Sequence, residues 1–209
     1  IGFNMRTPAT NFIPLAQLSA EVSTPNIVKA AINVLTNPLS HNFTDTRIKS
    51  EFLAKRLYAD DPLHKSNFQR INDVAFAAMR AVDGLSSRIV VEAKYLQNIK
   101  DGMTEVAAIE NADRYAAQLM ASREKGEMPT FFERQNPLVK MLTMFQVEPL
   151  NTMNYYLKDL PLNMKSKGRA ALIWGLARMF VASYLLDELF QWILGSESGI
   201  LNPIGYALD

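Results

Sequence analysis

The stretch from Ala170 to Leu194, AALIWGLARMFVASYLLDELFQWIL, decides the fold class of this chain. Its apolar side chains recur around nearly every side of a helix, and it lacks the strict alternation of a strand. With a rise of about 1.5 Å per residue, a helix of this length is long enough to cross a bilayer. We therefore predict a long apolar C-terminal helix that runs from Ser166 to Leu194 and ends at Gly195.

Three charged residues bear on what covers this helix: Arg178, Asp187 and Glu188. Arg178 and Asp187 fall on opposite sides of a helix, so both cannot share one polar stripe. Each charge would cost about 2.5 to 3.5 kcal/mol at the centre of a bilayer. We predict that the helix is buried against protein rather than lipid, with the three charges paired or exposed at an edge.

A basic cluster, Lys165, Lys167 and Arg169, comes at the start of the same helix. Positive charge there is mildly unfavourable with the helix dipole. The cluster suits an anionic membrane surface, and it equally suits a solvated extension of the helix. Membrane contact through residues 166–194 therefore stays open as the alternative.

The stretch upstream, NPLVKMLTMFQVEPLNTMNYYLKDLP from Asn136 to Pro161, is rich in methionine and aromatic residues. It offers no nucleophile, no histidine and no carboxylate pair. Pro149 lies within its helical pattern and should kink the helix or split it in two, because proline removes a backbone hydrogen bond. This stretch therefore predicts a helix with a packing role and no chemistry of its own.

Helical spacing of apolar residues also recurs through the N-terminal part of the chain. The predicted helices there cover about 8–22, 25–37, 45–57, 66–82, 89–99 and a stretch that begins at 104. Asp83 and Gly84 should separate two helices, Gly102 should stop one, and Thr104 should cap the next. The whole chain is thus predicted to be an all-α, multi-helix bundle of about seven to nine helices.

The segment REKGEMPTFFERQNP, from Arg123 to Pro137, is the best candidate for a connection, since one glycine and two prolines prevent a continuous helix. It predicts an N-terminal helical unit at 1–122, a connecting loop at 123–136 and a C-terminal helical unit at 137–209. One continuous domain is the alternative. The chain begins at Ile1 without an initiator methionine, so we expect a piece of a longer protein.

The amino-acid composition of the chain argues against several classes of function. Among the 209 residues, 22 lysines and arginines face 21 aspartates and glutamates, for a net charge of +1. A chain with so little net charge lacks the strong positive electrostatic field of a protein that binds nucleic acid without sequence preference. We therefore predict no specific nucleic acid partner. The absence of cysteine excludes thiolate nucleophiles and cysteine-based zinc sites.

No catalytic constellation is visible. The histidines, His41 and His64, lie in predicted loops without a second metal ligand at helical spacing. Glu105, Glu110 and Asp113 could in principle line one helix face, but a di-metal site also needs partner carboxylates and a helix with a Glu-x-x-His motif. We predict no catalytic residue, no cofactor, no metal site and no enzymatic activity.

Five segments carry a resemblance to a known group: NMRTPATNFIPLAQLSAEV, AVDGLSSRIVVEAKYLQNIKDG, GMTEVAAIENADRYAAQLMAS, the stretch from Asn136 to Pro161, and the stretch from Gly168 to the end. In this order they resemble the helical, non-enzymatic region of large polyvalent proteins, which are very long proteins of bacteriophages and prophage-like elements. That group has a KLFTMF-like aromatic helix and a terminal DPI turn. Leu142 to Phe145 and Asn202 to Ile204 stand in those places, with Asn202 replacing the usual aspartate.

The resemblance implies a structural and interaction module of a phage protein that is packaged inside the virion or ejected with the genome. Its partners would be other virion proteins, other copies of the chain or other domains of the parent protein. The alternative is a membrane-active module whose C-terminal helix inserts into the host envelope, or lines a channel in it, during genome delivery. Methionine adapts to irregular partners. The expected interaction residues are Met141, Met144, Phe145, Tyr155, Tyr156, Trp174, Phe180, Tyr184, Phe190 and Trp192.

Overall fold

The computed structural model describes residues 12–36, 49–58, 77–120 and 152–194, without the side chains of 57, 58, 77–80, 190, 191, 193 and 194. Every regular element in these ranges is helical, which confirms the predicted all-α fold and its long apolar C-terminal helix. The α-helices are α1 Ile13–Glu21, α2 Thr24–Thr36, α3 Glu51–Tyr58, α4 Ala77–Lys100, α5 Glu105–Leu119, α6 Leu160–Met164 and α7 Arg169–Leu194. A π-helical turn, Tyr155–Asp159, precedes α6, and a 3-10 turn, Lys165–Lys167, follows it.

Helix α4 is the centre of the bundle, because α1, α2, α3 and α5 all contact it. Its side chains Val90, Val91 and Ala93 are fully buried among these neighbours. Helix α5 packs beside it through small residues that allow a close approach. The side chains of α5 that recur at helical spacing are buried, namely Ala108, Ala112, Tyr115, Ala116 and Leu119.

Asp83 and Gly84 do not separate two helices, since α4 continues through both. Gly84 is buried there. Asp83 accepts two hydrogen bonds from Arg56, at 2.9 Å from Nε and 2.7 Å from Nη2. A glycine inside a helix costs only about 1 kcal/mol relative to alanine. The predicted break is wrong because packing along the central helix outweighs that local preference.

The turn after α4 forms at Gly102 as predicted. Gly102 has a φ of +88°, a left-handed conformation that glycine adopts without strain. The Met103 N–H donates to the Asn98 carbonyl at 3.0 Å, which satisfies a carbonyl at the helix end. Thr104 occupies the N-cap position of α5, but its side chain makes no capping hydrogen bond. Its predicted position is therefore right and its predicted capping bond is not formed.

Asp113 of α5 binds the N-terminus of α3. Its carboxylate accepts hydrogen bonds from the Glu51 N–H at 2.8 Å, from the Phe52 N–H at 3.3 Å and from the Ser50 hydroxyl. A carboxylate in this place satisfies free N–H groups and interacts favourably with the helix dipole. Asp113 therefore holds α3 against α5.

Helices from both predicted units pack against each other, because α7 and α1 are in extensive contact. Leu18 and Ala20 of α1 share one buried core with Leu160, Met164 and Met179 from the C-terminal part. The connecting loop predicted at 123–136 lies outside the described residues, so that boundary stays a prediction.

Candidate functional site

Helix α7 crosses α1 at Gly175, where the two backbones approach closely. A Cβ atom built on Gly175 would lie 2.8 Å from the Ala20 carbonyl oxygen and 3.3 Å from the Met164 side chain. Since a real Cβ essentially never comes that close to a backbone oxygen, the crossing requires glycine. This contact fixes which side of α7 is turned inward.

Arg178 strengthens the same crossing. Its guanidinium donates to the Ala20 carbonyl at 2.8 Å and to the Val22 carbonyl at 3.4 Å. These carbonyls lie at the C-terminal end of α1, where the helix dipole favours a cation. Asp187 is also on the inward side, at 9% exposure. Although the two residues lie nine positions apart along α7, Arg178 bonds to the end of α1 and Asp187 is buried, so neither charge lies on the exposed side of the helix.

The other side of α7 is apolar and exposed, and we call it the outer face. Eight large apolar residues form it, each at least 41% exposed. They are Ile173, Trp174, Phe180, Val181, Tyr184, Leu185, Leu189 and Trp192. The predicted burial of α7 against protein thus holds on the inward side and is wrong for the outer face of the single chain. The nine residues of α1 cover only one side of α7.

Charges mark the two ends of the outer face. Glu188 lies exposed among its C-terminal residues, and a hydrogen bond to Glu188 together with its charge raises the pKa of Tyr184. Lys165, Lys167 and Arg169 are exposed around the N-terminus of α7. The outer face therefore runs from a basic end to an acidic residue.

The predicted interaction residues divide between the surface and the interior. Trp174, Phe180, Tyr184 and Trp192 lie on the outer face. Tyr155 is completely buried and Tyr156 half-buried, so these two tyrosines belong to the core instead. Outside the described residues lie Met141, Met144, Phe145, the Phe190 side chain, Pro149, His41 and His64.

A polar network gathers around Glu21 inside the bundle. The Tyr155 hydroxyl donates to Glu21 Oε1 at 3.0 Å, and Asn163 Nδ2 donates to the same oxygen at 3.1 Å. Lys94 Nζ lies 3.5 Å from Glu21 Oε2 and 4.2 Å from the centre of the Tyr115 ring. The network joins α1, α4 and α5 to the segment that leads into α7.

Burial governs the protonation of this network. It raises the pKa of Tyr155 well above the usual value, and the neighbouring Tyr115 and Glu21 raise it further. Burial also raises the pKa of Tyr115, with the charge of Glu21 acting in the same direction. Burial lowers the pKa of Lys94, which the attraction of Glu21 opposes. These enclosed groups stabilise the packing of the helices, and they offer no open site to a substrate within the described part of the chain.

Nothing in the sequence analysis predicted this network. Its only local signal is a glutamate on the buried side of an apolar helix, which requires a partner. Lys94, Tyr155 and Asn163 lie 73, 134 and 142 positions away from Glu21. No local pattern can identify partners at such distances.

A second exposed apolar stripe runs along α2. Val28, Ile32 and Leu35 are each at least 50% exposed. Thr24, Pro25, Val28, Lys29 and Ile32 line a shallow apolar groove beside them. This lining includes no acid, histidine or cysteine, which are the side chains that most often bind a metal.

Among the described residues, no group of three or more His, Cys, Asp or Glu side chains is placed to hold a metal ion. One helix there, Arg169–Leu189, is long and apolar enough to cross a membrane, with 22% of its apolar stretch buried. Comparisons of the chain with protein-family models, with curated proteins and with solved structures found no match. Across the ranges that the structure describes, the outer face of α7 is therefore the strongest candidate for a functional surface.

Proposed function

We propose that this chain is a non-enzymatic helical interaction module, and that the outer face of α7 associates with another protein. From the resemblance to large polyvalent proteins, we assign the module to a phage virion-associated protein that is internal to the particle or ejected from it. The partners on this proposal are other virion proteins, other copies of the chain or other domains of the parent protein.

One observation carries the proposal: α7 exposes a continuous apolar face while its inward side is fixed to α1. Trp174, Tyr184 and Trp192 are 67%, 64% and 83% exposed. With about 150 to 250 Å² per aromatic side chain, these three alone expose roughly 300 to 500 Å². Soluble monomers seldom expose a contiguous patch of more than a few hundred Å². Tryptophan and tyrosine are also the residues that contribute most at protein interfaces.

A lipid surface is the second candidate partner. The length of α7 and its basic N-terminal end favour lipid, and the bonding of Arg178 to α1 together with the burial of Asp187 removes part of the electrostatic objection. Glu188 still lies within the outer face, where hydrocarbon would strip its carboxylate of water. In addition, Gly175 and Arg178 bind α7 to α1, so α7 cannot span a bilayer without breaking that crossing. Both observations favour a protein partner.

The experiment replaces Val181 by Asp in the phage or prophage that encodes the chain, with Val106→Asp as the matched control. Val106 is 69% exposed on α5, so the control adds the same charge to a surface outside α7. We expect mass spectrometry of purified particles to find the chain at normal levels in the control and depleted in Val181→Asp, with equal amounts in the infected-cell lysates. Absence of the wild-type chain from the particles contradicts the virion assignment.

Liposome flotation of the purified chain tests the second candidate. We expect the wild-type chain to remain in the bottom fraction with vesicles of phosphatidylcholine and phosphatidylglycerol. Flotation that Val181→Asp abolishes and Val106→Asp preserves would replace the protein partner by lipid.

A further inference from the structure

The exposed side of α7 contains a seam with the spacing of a coiled coil. Its residues follow one another in alternating steps of four and three, and every one is exposed. They are Ala170, Trp174, Ala177, Val181, Tyr184 and Glu188. This spacing is the a/d pattern by which two helices pack side by side. The seam covers about five turns of helix, which is enough for a complete helix-to-helix contact.

We propose that the seam pairs with the same seam of a second copy, with the two α7 helices antiparallel. This inference rests on the proposed function and names the partner of the outer face. In an antiparallel pair, the a positions of one helix face the d positions of the other. Trp174 then faces Tyr184 of the second copy, Ala177 faces Val181, and Glu188 faces Ala170. The pairing sets Glu188 against a small residue at each end of the seam, two aromatic side chains against each other in the next layer, and a small residue against valine at the centre.

Charge complementarity selects the antiparallel direction. A parallel pair would bring Glu188 of one copy against Glu188 of the other in an apolar seam, and like charges there repel. The antiparallel pair brings Glu188 beside Arg169 and close to Lys165 and Lys167 of the second copy. The same contact places negative charge near the N-terminus of α7, where the dipole favours it. The pair is a closed dimer with two-fold symmetry, so the contact between Glu188 and the basic residues of the other copy forms twice, once at each end of the seam.

The area available also suits a second copy. A stable protein interface buries about 800 Å² per partner. The outer face has eight large apolar residues at 41% to 83% exposure, and its three most exposed aromatic side chains alone account for roughly half of that area. The seam and the residues beside it are therefore sufficient for a standard interface without any further element.

Cysteine cross-linking tests the direction and register, because the chain has no native cysteine. Ala177→Cys and Val181→Cys are prepared separately in the full chain, one of them with a mass tag, and are mixed under mild oxidation. We expect a disulfide between the two different variants, since antiparallel pairing brings these positions face to face. Ala170→Cys alone should stay uncross-linked, because its two copies lie at opposite ends of the pair.

Two results of these experiments would overturn the antiparallel pairing, and they can be distinguished from each other. A disulfide between two copies of Ala170→Cys, without the mixed product, indicates a parallel pair and overturns the proposal. A wild-type chain that stays monomeric, together with no disulfide between the Ala177→Cys and Val181→Cys variants, also overturns it. That second result leaves the proposed function intact if particle incorporation still depends on Val181, since the outer face then binds a different virion protein.

Charge reversal gives an independent check on the same pairing. Arg169→Glu should weaken self-association about tenfold, as expected for two symmetric, exposed ion pairs turned into repulsions. Arg169→Glu combined with Glu188→Arg should restore it to within about threefold of wild type. If the double variant associates no more tightly than Arg169→Glu alone, the two residues do not meet and the antiparallel register is wrong.

Discussion

The carbonyl oxygen of Ala20 lies 2.8 Å from the point that a Cβ atom on Gly175 would occupy. This contact, with the Arg178 guanidinium on the same carbonyl at 2.8 Å, orients α7 on the bundle. Because one side of α7 is fixed in this way, its described aromatic side chains point outward together, namely Trp174, Phe180, Tyr184 and Trp192. The outer face is therefore a consequence of the crossing at Gly175.

Replacement of Gly175 by alanine should destabilise the bundle. The new methyl group would overlap the Ala20 carbonyl, and overpacking of this kind costs typically 1 to 3 kcal/mol. Alanine recovers up to about 1 kcal/mol of helix propensity, so we expect a net loss of about 1 to 2 kcal/mol by denaturant unfolding. Ala107→Leu adds bulk to an exposed position of α5, outside α7, and should change the free energy of unfolding by less than about 0.5 kcal/mol. A Gly175→Ala variant as stable as wild type would show that the two helices are not in close contact.

Replacement of Tyr155 by phenylalanine should also destabilise the chain. It removes the hydroxyl that donates to Glu21 at 3.0 Å inside the core. A buried hydrogen bond to a charged group contributes about 1.5 to 3 kcal/mol. Tyr184→Phe is the matched control, because the same oxygen is lost from a side chain that is 64% exposed. Equal unfolding free energies for the two variants would contradict the network around Glu21.

Stability should fall at alkaline pH more steeply than surface tyrosines would cause. The pKa values of Tyr115 and Tyr155 are raised by burial, so both stay protonated in the folded chain after they ionise in the unfolded chain. Their contribution is fully present below the unfolded pKa of about 10 and is lost as the pH rises from there toward the folded pKa. The lowered pKa of Lys94 has the opposite sign and acts below its ordinary value of 10.5.

Denaturant unfolding at a series of pH values above about 10 measures this effect. The slope of unfolding free energy against pH should be shallower in the Tyr115→Phe, Tyr155→Phe double variant than in the wild type. An unchanged slope would mean that the two hydroxyls ionise equally in the folded and unfolded chains.

Helical periodicity was sufficient to predict the fold class. The C-terminal helix was predicted at Ser166 to Leu194 and is found at Arg169–Leu194, because an apolar pattern of that length has no competing strand pattern. The break predicted at Gly84 is wrong because tertiary packing outweighs local preference. The low helix propensity of glycine costs about 1 kcal/mol, and the packing of the central helix exceeds that cost.

The candidate site was only partly predictable. Trp174, Tyr184 and Trp192 were expected to make contacts because they are large and aromatic, which is a property of the sequence. Their common orientation depends on the crossing of α7 over a helix about 155 positions earlier, as the Gly175 and Ala20 contact shows. Tyr155 is also large and aromatic, but it lies in the core. The type of a residue alone does not determine whether its side of the helix packs against the rest of the protein.

The molar mass of the chain in solution tests the central claim most directly. Light scattering across a concentration series should show wild type and Val106→Asp approaching twice the chain mass of 23.5 kDa, while Val181→Asp stays at 23.5 kDa. Circular dichroism of all three should be equally helical, which separates lost association from lost fold. A wild-type chain that remains at 23.5 kDa at every concentration and floats with anionic vesicles would contradict the account, since lipid would then cover the outer face of α7.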